Sequence, residues 1–212
     1  TAEEVRQYDA MDHREVNRRF VTDFLAAHGP CRGGTILDVG TGTARIPIAL
    51  ASADSRAQLL ALDLSSTMLA QAEINIASAG LTSRIRTQKG DAKALVEMFG
   101  ESAFEGVVSN TIIHHIPAPL PALETMARLV ASGGTLMIRD LARPGSVGEI
   151  TNLADIYAAG ESPEARALFE ASLHAALTLD EIQSLVRDLG LSPADVTMTS
   201  DRHWTWTWRK PL

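Results

Sequence analysis

"TILDVGTGTARIPIALA", residues 35–51, runs an apolar strand pattern into a turn with glycine at 40 and 42, and then into the start of a helix. Two glycines alone say little about a ligand, because tight turns use glycine for its conformational freedom. What the turn is shaped for has to be read from the residues around it.

Downstream of this stretch, short apolar strands keep alternating with helix-patterned segments, which predicts a parallel sheet with crossover helices. Strands are predicted at 35–39, 58–62, 84–88, 104–109 and 134–139, with helices near 44–52, 66–79, 92–98 and 119–131. Ser66 is placed to start a helix and Gly80 to stop it. Upstream, Val16, Phe20, Phe24 and Leu25 fall at helical spacing in 12–28, and His28-Gly29-Pro30 ends the run, so residues 1–33 read as an N-terminal helical segment. Residues 144–176 are helical in character where a short link would suffice, which predicts an inserted helical cap. Thr178-Leu179-Asp180-Glu181 has capping-box spacing and opens a helix that Gly190 closes. Strands near 194–199 and 203–209, joined by Ser200-Asp201-Arg202, are predicted to form an antiparallel hairpin. The whole chain, 1–212, reads as one α/β domain.

Composition narrows the chemistry. A chain of 212 residues buries about 70% of its unfolded surface and needs no covalent staples. No apolar run approaches the roughly 18 residues that span a bilayer, which excludes a membrane span. The formal charge is −7, and only three of the 19 basic residues are lysine, so no basic stripe is present to hold a phosphate backbone. Nucleic acid is therefore not the expected partner. The start lacks a basic region followed by an apolar stretch, and the single cysteine, Cys31, has no internal partner, which together suggest the cytoplasm.

In a parallel sheet, ligands bind beyond the carboxyl ends of the strands where the chain switches direction, and the turn at 40–44 lies there. N–H groups at the start of the following helix favour an anionic group. Twenty-one residues beyond Gly42, Asp63 ends the second strand, where a carboxylate can accept from both hydroxyls of a ribose. A dinucleotide fingerprint wants a third glycine, but counting from Gly40 that position is Arg45, whose bulk opposes close helix packing. Nicotinamide or flavin binding is disfavoured on that count.

Asp38-Val39-Gly40-Thr41-Gly42-Thr43-Ala44 instead resembles the first motif of class I S-adenosylmethionine-dependent methyltransferases, an acidic residue followed by x-Gly-x-Gly-x-Gly, with Ala44 replacing the last glycine. Asp63 with Ser65, Met68 and Leu69 is similar to the second motif, and Gly90-Asp91-Ala92 to the third. Phe104–Asn110 followed by His114-His115 is similar to the fourth-strand motif, and Arg128–Gly134 to the helix and turn before the fifth strand. The ordered match spans 35–142, in the style of the small-molecule branch that includes ubiquinone and menaquinone C-methyltransferases. The resemblance implies a doubly wound, Rossmann-like sheet of seven strands, mostly parallel, in the order 3-2-1-4-5-7-6 with the last antiparallel. It implies S-adenosylmethionine as cofactor and a small molecule as acceptor. Asp38, Gly40 and Gly42 would hold the methionine end, Asp63 the ribose, and Leu64 and Met68 the adenine face. Asp91 and Ala92 would take the adenine edge, and the Ser109 carbonyl the methionyl amino group.

The rival to methyl transfer is a protein that binds the same cofactor without transferring a methyl. His115 and His114 are the candidate catalytic residues, because imidazole titrates near neutrality and this loop follows strand 4. Adjacent histidines point apart, so a metal site with Asp140 is not expected. Trp204, Trp206 and Trp208 share one strand face and are expected to pack a core, while Arg202 and Arg209 are expected in solvent. Tyr8, Met11 and His13 precede the first helix, where this family often folds a segment over the active site.

Overall fold

The computed structural model describes residues 14–212 together with Val5 and Asp9; Tyr8, Met11 and His13 lie outside the described residues. In chain order the strands are β1 (Thr35–Val39), β2 (Gln58–Asp63), β3 (Ile85–Lys89), β4 (Phe104–Asn110), β5 (Val130–Leu141), β6 (Val196–Met198) and β7 (His203–Arg209). The longer helices are α1 (Arg14–His28), α2 (Arg45–Ala53), α3 (Ser66–Ser78), α4 (Leu95–Phe99), α5 (Leu120–Leu129), α6 (Val147–Tyr157), α7 (Pro163–Ala175) and α8 (Leu179–Asp188). All seven strands join one sheet in the order β3-β2-β1-β4-β5-β7-β6, as expected. β1 runs parallel to β2 and β4, β2 parallel to β3, and β6 antiparallel to β7.

Contacts gather the chain into two compact units: residues 1–109, 124–137 and 208–212 form the first, and residues 110–123 and 138–207 the second. In the first unit β1 and β2 are buried on both faces, which is why they read as unbroken apolar runs. α1 docks there through Phe20 and Phe24, both fully buried beside Ile36, Leu50 and Leu59. A Cβ at Gly106 of β4 would lie 2.9 Å from the Phe24 ring, so the helix can approach this strand only because residue 106 is glycine. α1 is anchored below by Glu105, which accepts from His28 Nε2 at 3.0 Å, Arg32 N–H at 2.7 Å and Gly34 N–H at 2.6 Å.

Three boundaries depart from expectation. β5 starts at Val130 rather than 134, because the glycine turn is drawn into the strand: Gly133 N–H donates to Lys210 O at 2.9 Å, and Lys210 N–H to Gly134 O at 3.0 Å. The helix expected at 92–98 shrinks to α4, because Asp91 Oδ1 accepts from Lys93 N–H at 2.9 Å and turns the chain first. The strand expected at 194–199 is only β6, since Pro193–Asp195 form a 3₁₀ turn.

The second unit holds the cap. α6 and α7 replace the helical stretch expected at 144–176, and they close over a small core of their own, Leu141, Ile150, Leu173 and Ala176. The Thr178–Glu181 capping box forms as expected. Trp204 and Trp206 are fully buried, while Trp208 is half-buried. Arg202 is not simply solvated, because its guanidinium lies 3.4 Å over the centre of the Tyr157 ring. Among the described residues no helix is long and apolar enough to cross a membrane.

Candidate active site

The turn after β1 is held by the end of β2. Gly40 and Thr41 N–H groups both donate to Leu62 O, at 2.8 and 2.9 Å, and Gly42 N–H donates to Asp63 Oδ2 at 2.8 Å. At the start of α2, Ala44 N–H is bonded to Thr41 O at 3.0 Å and Pro47 has no N–H at all. The donors on offer to an anion are therefore fewer than the sequence suggests. The turn supplies open space instead. Gly42 has φ 55, and a Cβ built there meets nothing within 4 Å.

Asp38, in the strand leading into this turn, is 2% exposed, and its Oδ2 has no hydrogen-bond partner among the described residues. Burial pushes its carboxyl up to about 7, against the pull of the Thr41 hydroxyl and with the charge of Asp63 adding to the rise. A buried carboxylate oxygen without a donor is costly, and a cationic group placed beside it would remove the cost.

Asp63 does more than the sequence suggests. Its Oδ2 takes Gly42 N–H, and its Oδ1 takes Ser65 N–H at 2.8 Å, so one side chain ties the β1 turn to the start of α3. Each carboxylate oxygen keeps a second lone pair for a hydroxyl. Ser65, not Ser66, is the cap of α3, its Oγ accepting Met68 N–H at 3.2 Å. Leu64 is 65% exposed, an apolar side chain left at the surface beside Asp63. Asp91 is half-buried, and Ala92 O accepts from Thr125 Oγ1 at 2.9 Å. Ser109 is fully buried and its Oγ donates to Val39 O at 2.8 Å, fastening β4 to β1 where both strands end. Arg45, the bulky residue in the third-glycine position, turns its guanidinium to Asp9, 2.7 Å from Oδ2.

In the second unit the two histidines separate. Thr111 has φ 57, a left-handed backbone that a β-branched residue adopts only under constraint, and its N–H donates to Arg139 O at 2.8 Å. The 3₁₀ turn Ile113–His115 follows. Asp140, only 1% exposed, accepts Ile113 N–H at 2.5 Å and Leu141 N–H at 2.6 Å, and lies 2.5 Å from His114 Nδ1. The His114 side chain is 5% exposed, and its Nε2 has no partner among the described residues. His115 is exposed, its ring 4.0 Å from that of His114, with its pKa lowered by partial burial and by the neighbouring imidazole. His203 is a further buried histidine, pushed down to about 4 by burial and then by Arg202 and Arg139. Among the described residues no group of three or more histidine, cysteine or acidic side chains is placed to hold a metal.

Two polar groups escaped the sequence reading. Asp140 was weighed only as a metal ligand, and its pairing with His114 joins residues 26 positions apart. Asn110 keeps a buried Oδ1 without a partner among the described residues, and its one sequence signal is a polar residue closing an apolar strand.

Comparison with known proteins bears on the family and the fold. The methyltransferase domain profile matches residues 31–188. Demethylmenaquinone methyltransferase of Desulfitobacterium hafniense is 31% identical over 117 residues, which cover 55% of this chain and 46% of that protein. 27-O-demethylrifamycin SV methyltransferase of Amycolatopsis mediterranei is 26% identical over 190 residues, covering 87% of this chain and 65% of that one. The chain thus spans about half to two thirds of the length of these relatives. The crystal structure of an S-adenosylmethionine-dependent methyltransferase from Aquifex aeolicus shares the fold, with a TM-score of 0.69 at 15% identity over 99% of this chain and 98% of that one.

Proposed function

The chain belongs to the methyltransferase domain family, with the class I, S-adenosylmethionine-dependent fold, and from that premise we propose that it transfers a methyl group from S-adenosylmethionine to a small-molecule acceptor. The observation that carries the reading is the orphaned Oδ2 of Asp38, a buried carboxylate oxygen waiting for a positive group beside a turn with no side chain at Gly42. When bound, S-adenosylmethionine supplies a methyl on a positively charged sulfur that is already a good leaving group. Little covalent chemistry is left for the protein, which aligns the acceptor and excludes water.

By the family resemblance, Asp38, Gly40 and Gly42 hold the methionine end, and the Ser109 carbonyl takes its amino group. Asp63 accepts from the ribose, Leu64 and Met68 cover the adenine, and Asp91 with Ala92 binds its edge. His114 and His115 are the candidates for moving a proton from the acceptor. Demethylmenaquinone as the substrate of one relative favours an aromatic acceptor of the quinone-precursor kind, and the acidic balance of the chain, at −7, disfavours nucleic acid. The lone thiol of Cys31, buried and pushed up to about 12 by burial and then by Asp54, suits a reducing cytoplasm.

The test is calorimetry with S-adenosylmethionine, followed by incubation of wild type and Asp63→Ala with labelled cofactor, a cell extract and, separately, total RNA. Loss of a charge-assisted contact to ribose should raise the dissociation constant about 10- to 150-fold. Label in a small organic product supports the proposal, and label in RNA alone or in nothing refutes it.

A further inference from the structure

We propose that Asp9 is a positioning residue for the cofactor turn: acting through Arg45 and Asn75, it holds the left-handed backbone at Ala44 that gives the turn its binding shape. This rests on the methyl-transfer reading above, which makes that turn the place where S-adenosylmethionine binds. It adds a residue that lies 36 positions ahead of Arg45 and outside the motifs read from the sequence.

Ala44 has φ 63 and ψ 27, a left-handed conformation that presses the Cβ of an L-residue toward its own carbonyl and that glycine alone adopts freely. The residue is fully buried and joins the turn to α2. Such a backbone persists only where its surroundings over-determine it. Both neighbours of Ala44 are pinned. On one side Thr43 O accepts from Asn75 Nδ2 at 3.0 Å, and on the other the Arg45 guanidinium is taken by Asp9.

Asp9 joins the two pins. Its Oδ1 accepts from Arg45 Nε at 2.8 Å and from Asn75 Nδ2 at 3.0 Å. Its Oδ2 accepts from Arg45 Nη2 at 2.7 Å and from Gln71 Nε2 at 3.4 Å. Two nitrogens of one guanidinium on two oxygens of one carboxylate make a planar fork, which fixes both side chains. Asn75 uses its amide nitrogen on Asp9 and Thr43 O together, and Gln71 sets which way that amide faces by donating to Asn75 Oδ1 at 3.1 Å. An exposed ion pair contributes little, but the Asp9 side chain is only 10% exposed and carries four donors, so the cluster is a built one. Every member lies in the first unit. Asp63 grips the same turn from β2 through Gly42 N–H, which leaves Asp9 to hold residues 43–45.

Without Asp9 the backbone at Ala44 relaxes, and apparent affinity falls with the fraction of molecules that keep the competent turn. Hydrogen exchange on the whole chain, free of cofactor, reads the turn directly. Asp9→Ala should speed exchange of the amide at position 44, which donates to Thr41 O at 3.0 Å, by about 5- to 30-fold relative to β1, and adding Ala44→Gly should abolish the acceleration. Exchange at position 44 that is unaltered, or raised equally in β1, overturns the proposal. Calorimetry with S-adenosylhomocysteine reads the consequence. Asp9→Ala should raise the dissociation constant about 5- to 30-fold in the wild-type background but less than about twofold when Ala44→Gly is already present. An equal rise in both backgrounds overturns the proposal, because a general loss of stability would not depend on the residue at 44. If Asp9→Ala does not fold, Arg45→Met, at a side chain 46% exposed, opens the same fork and should show the same pattern. Failure of the wild type to bind S-adenosylmethionine refutes the methyl-transfer reading, while the exchange result still decides whether Asp9 holds the turn.

Discussion

Replacing Asp38 by asparagine should make stability less dependent on pH and cofactor binding weaker, two effects of one buried charge. Burial pushes this carboxyl from its ordinary 3.8 to about 7. At about 1.4 kcal/mol per pH unit, ionising it in the native state costs about 4 kcal/mol more than in the unfolded chain. Because the folded value is the higher one, the native state holds a proton between pH 3.8 and about 7 that the unfolded chain has released. Stability from this group is thus complete below about pH 4 and is lost as pH rises through 7. His203 slopes the other way over the same range: its folded value of about 4 lies below the ordinary 6.5, so its contribution is lost as pH falls. The decisive quantity is therefore the difference between variant and wild type, measured by urea unfolding at pH 4.5 and pH 8. Relative to wild type, Asp38→Asn should gain about 3 kcal/mol in going from pH 4.5 to pH 8, on top of a pH-independent loss of roughly 1–3 kcal/mol for an amide buried without partners. Calorimetry at pH 6 in buffers of different ionisation heat should show a proton released as cofactor binds to wild type and none for the variant. A difference in stability that is the same at both pH values would refute the assignment of a buried, proton-bearing Asp38.

Two further substitutions test the turn and the cap. Gly42→Ala places a methyl in open space at φ 55, so the fold should lose only about 1–2 kcal/mol of backbone strain, while cofactor affinity should fall at least about tenfold, read by calorimetry. Equal affinity would mean that the space over Gly42 is not part of the site. Leu173→Ala empties a fully buried position in the core beneath α6 and α7 and should destabilise the protein by about 2–5 kcal/mol, with hydrogen exchange in residues 147–175 rising before that in β1 and β2. Uniform exchange across both units would show that the cap core has no stability of its own.

Most of the sheet was legible because each βα unit repeats the same local signals. β1 and β2 are buried on both faces and therefore read as apolar runs, while the order of strands came with the family resemblance and not from these local signals. What was not legible depended on partners distant in the chain. β5 begins early because residues after β7 supply backbone donors and acceptors to Gly133 and Gly134, a contact across 77 residues. Likewise His114 and His115 are the same residue type in adjacent positions, and only Asp140 tells them apart. No property of the two-residue motif distinguishes a histidine fixed by a buried carboxylate from one left in solvent.

The spacing between Gly42 and Asp63 was legible for a reason that differs from the one first attached to it. An acidic residue at the end of the second strand reads as a ribose ligand. In the folded chain its structural use is as an acceptor, from Ser65 N–H just before α3 and from Gly42 N–H, which clamps the first turn. The two uses are not rivals, because a carboxylate oxygen that accepts one N–H still has a lone pair directed elsewhere. The clamp would serve the proposed ligand role: a side chain held at both oxygens by backbone amides has one orientation, so its remaining lone pairs are fixed in advance. Asp38 shows the opposite design, a carboxylate with an oxygen left bare and a pKa pushed up by burial. Under the proposed function one acid is pre-organised by the protein and the other would be completed by its ligand, so Asp63 substitutions should harm fold and affinity together, whereas Asp38→Asn should separate them.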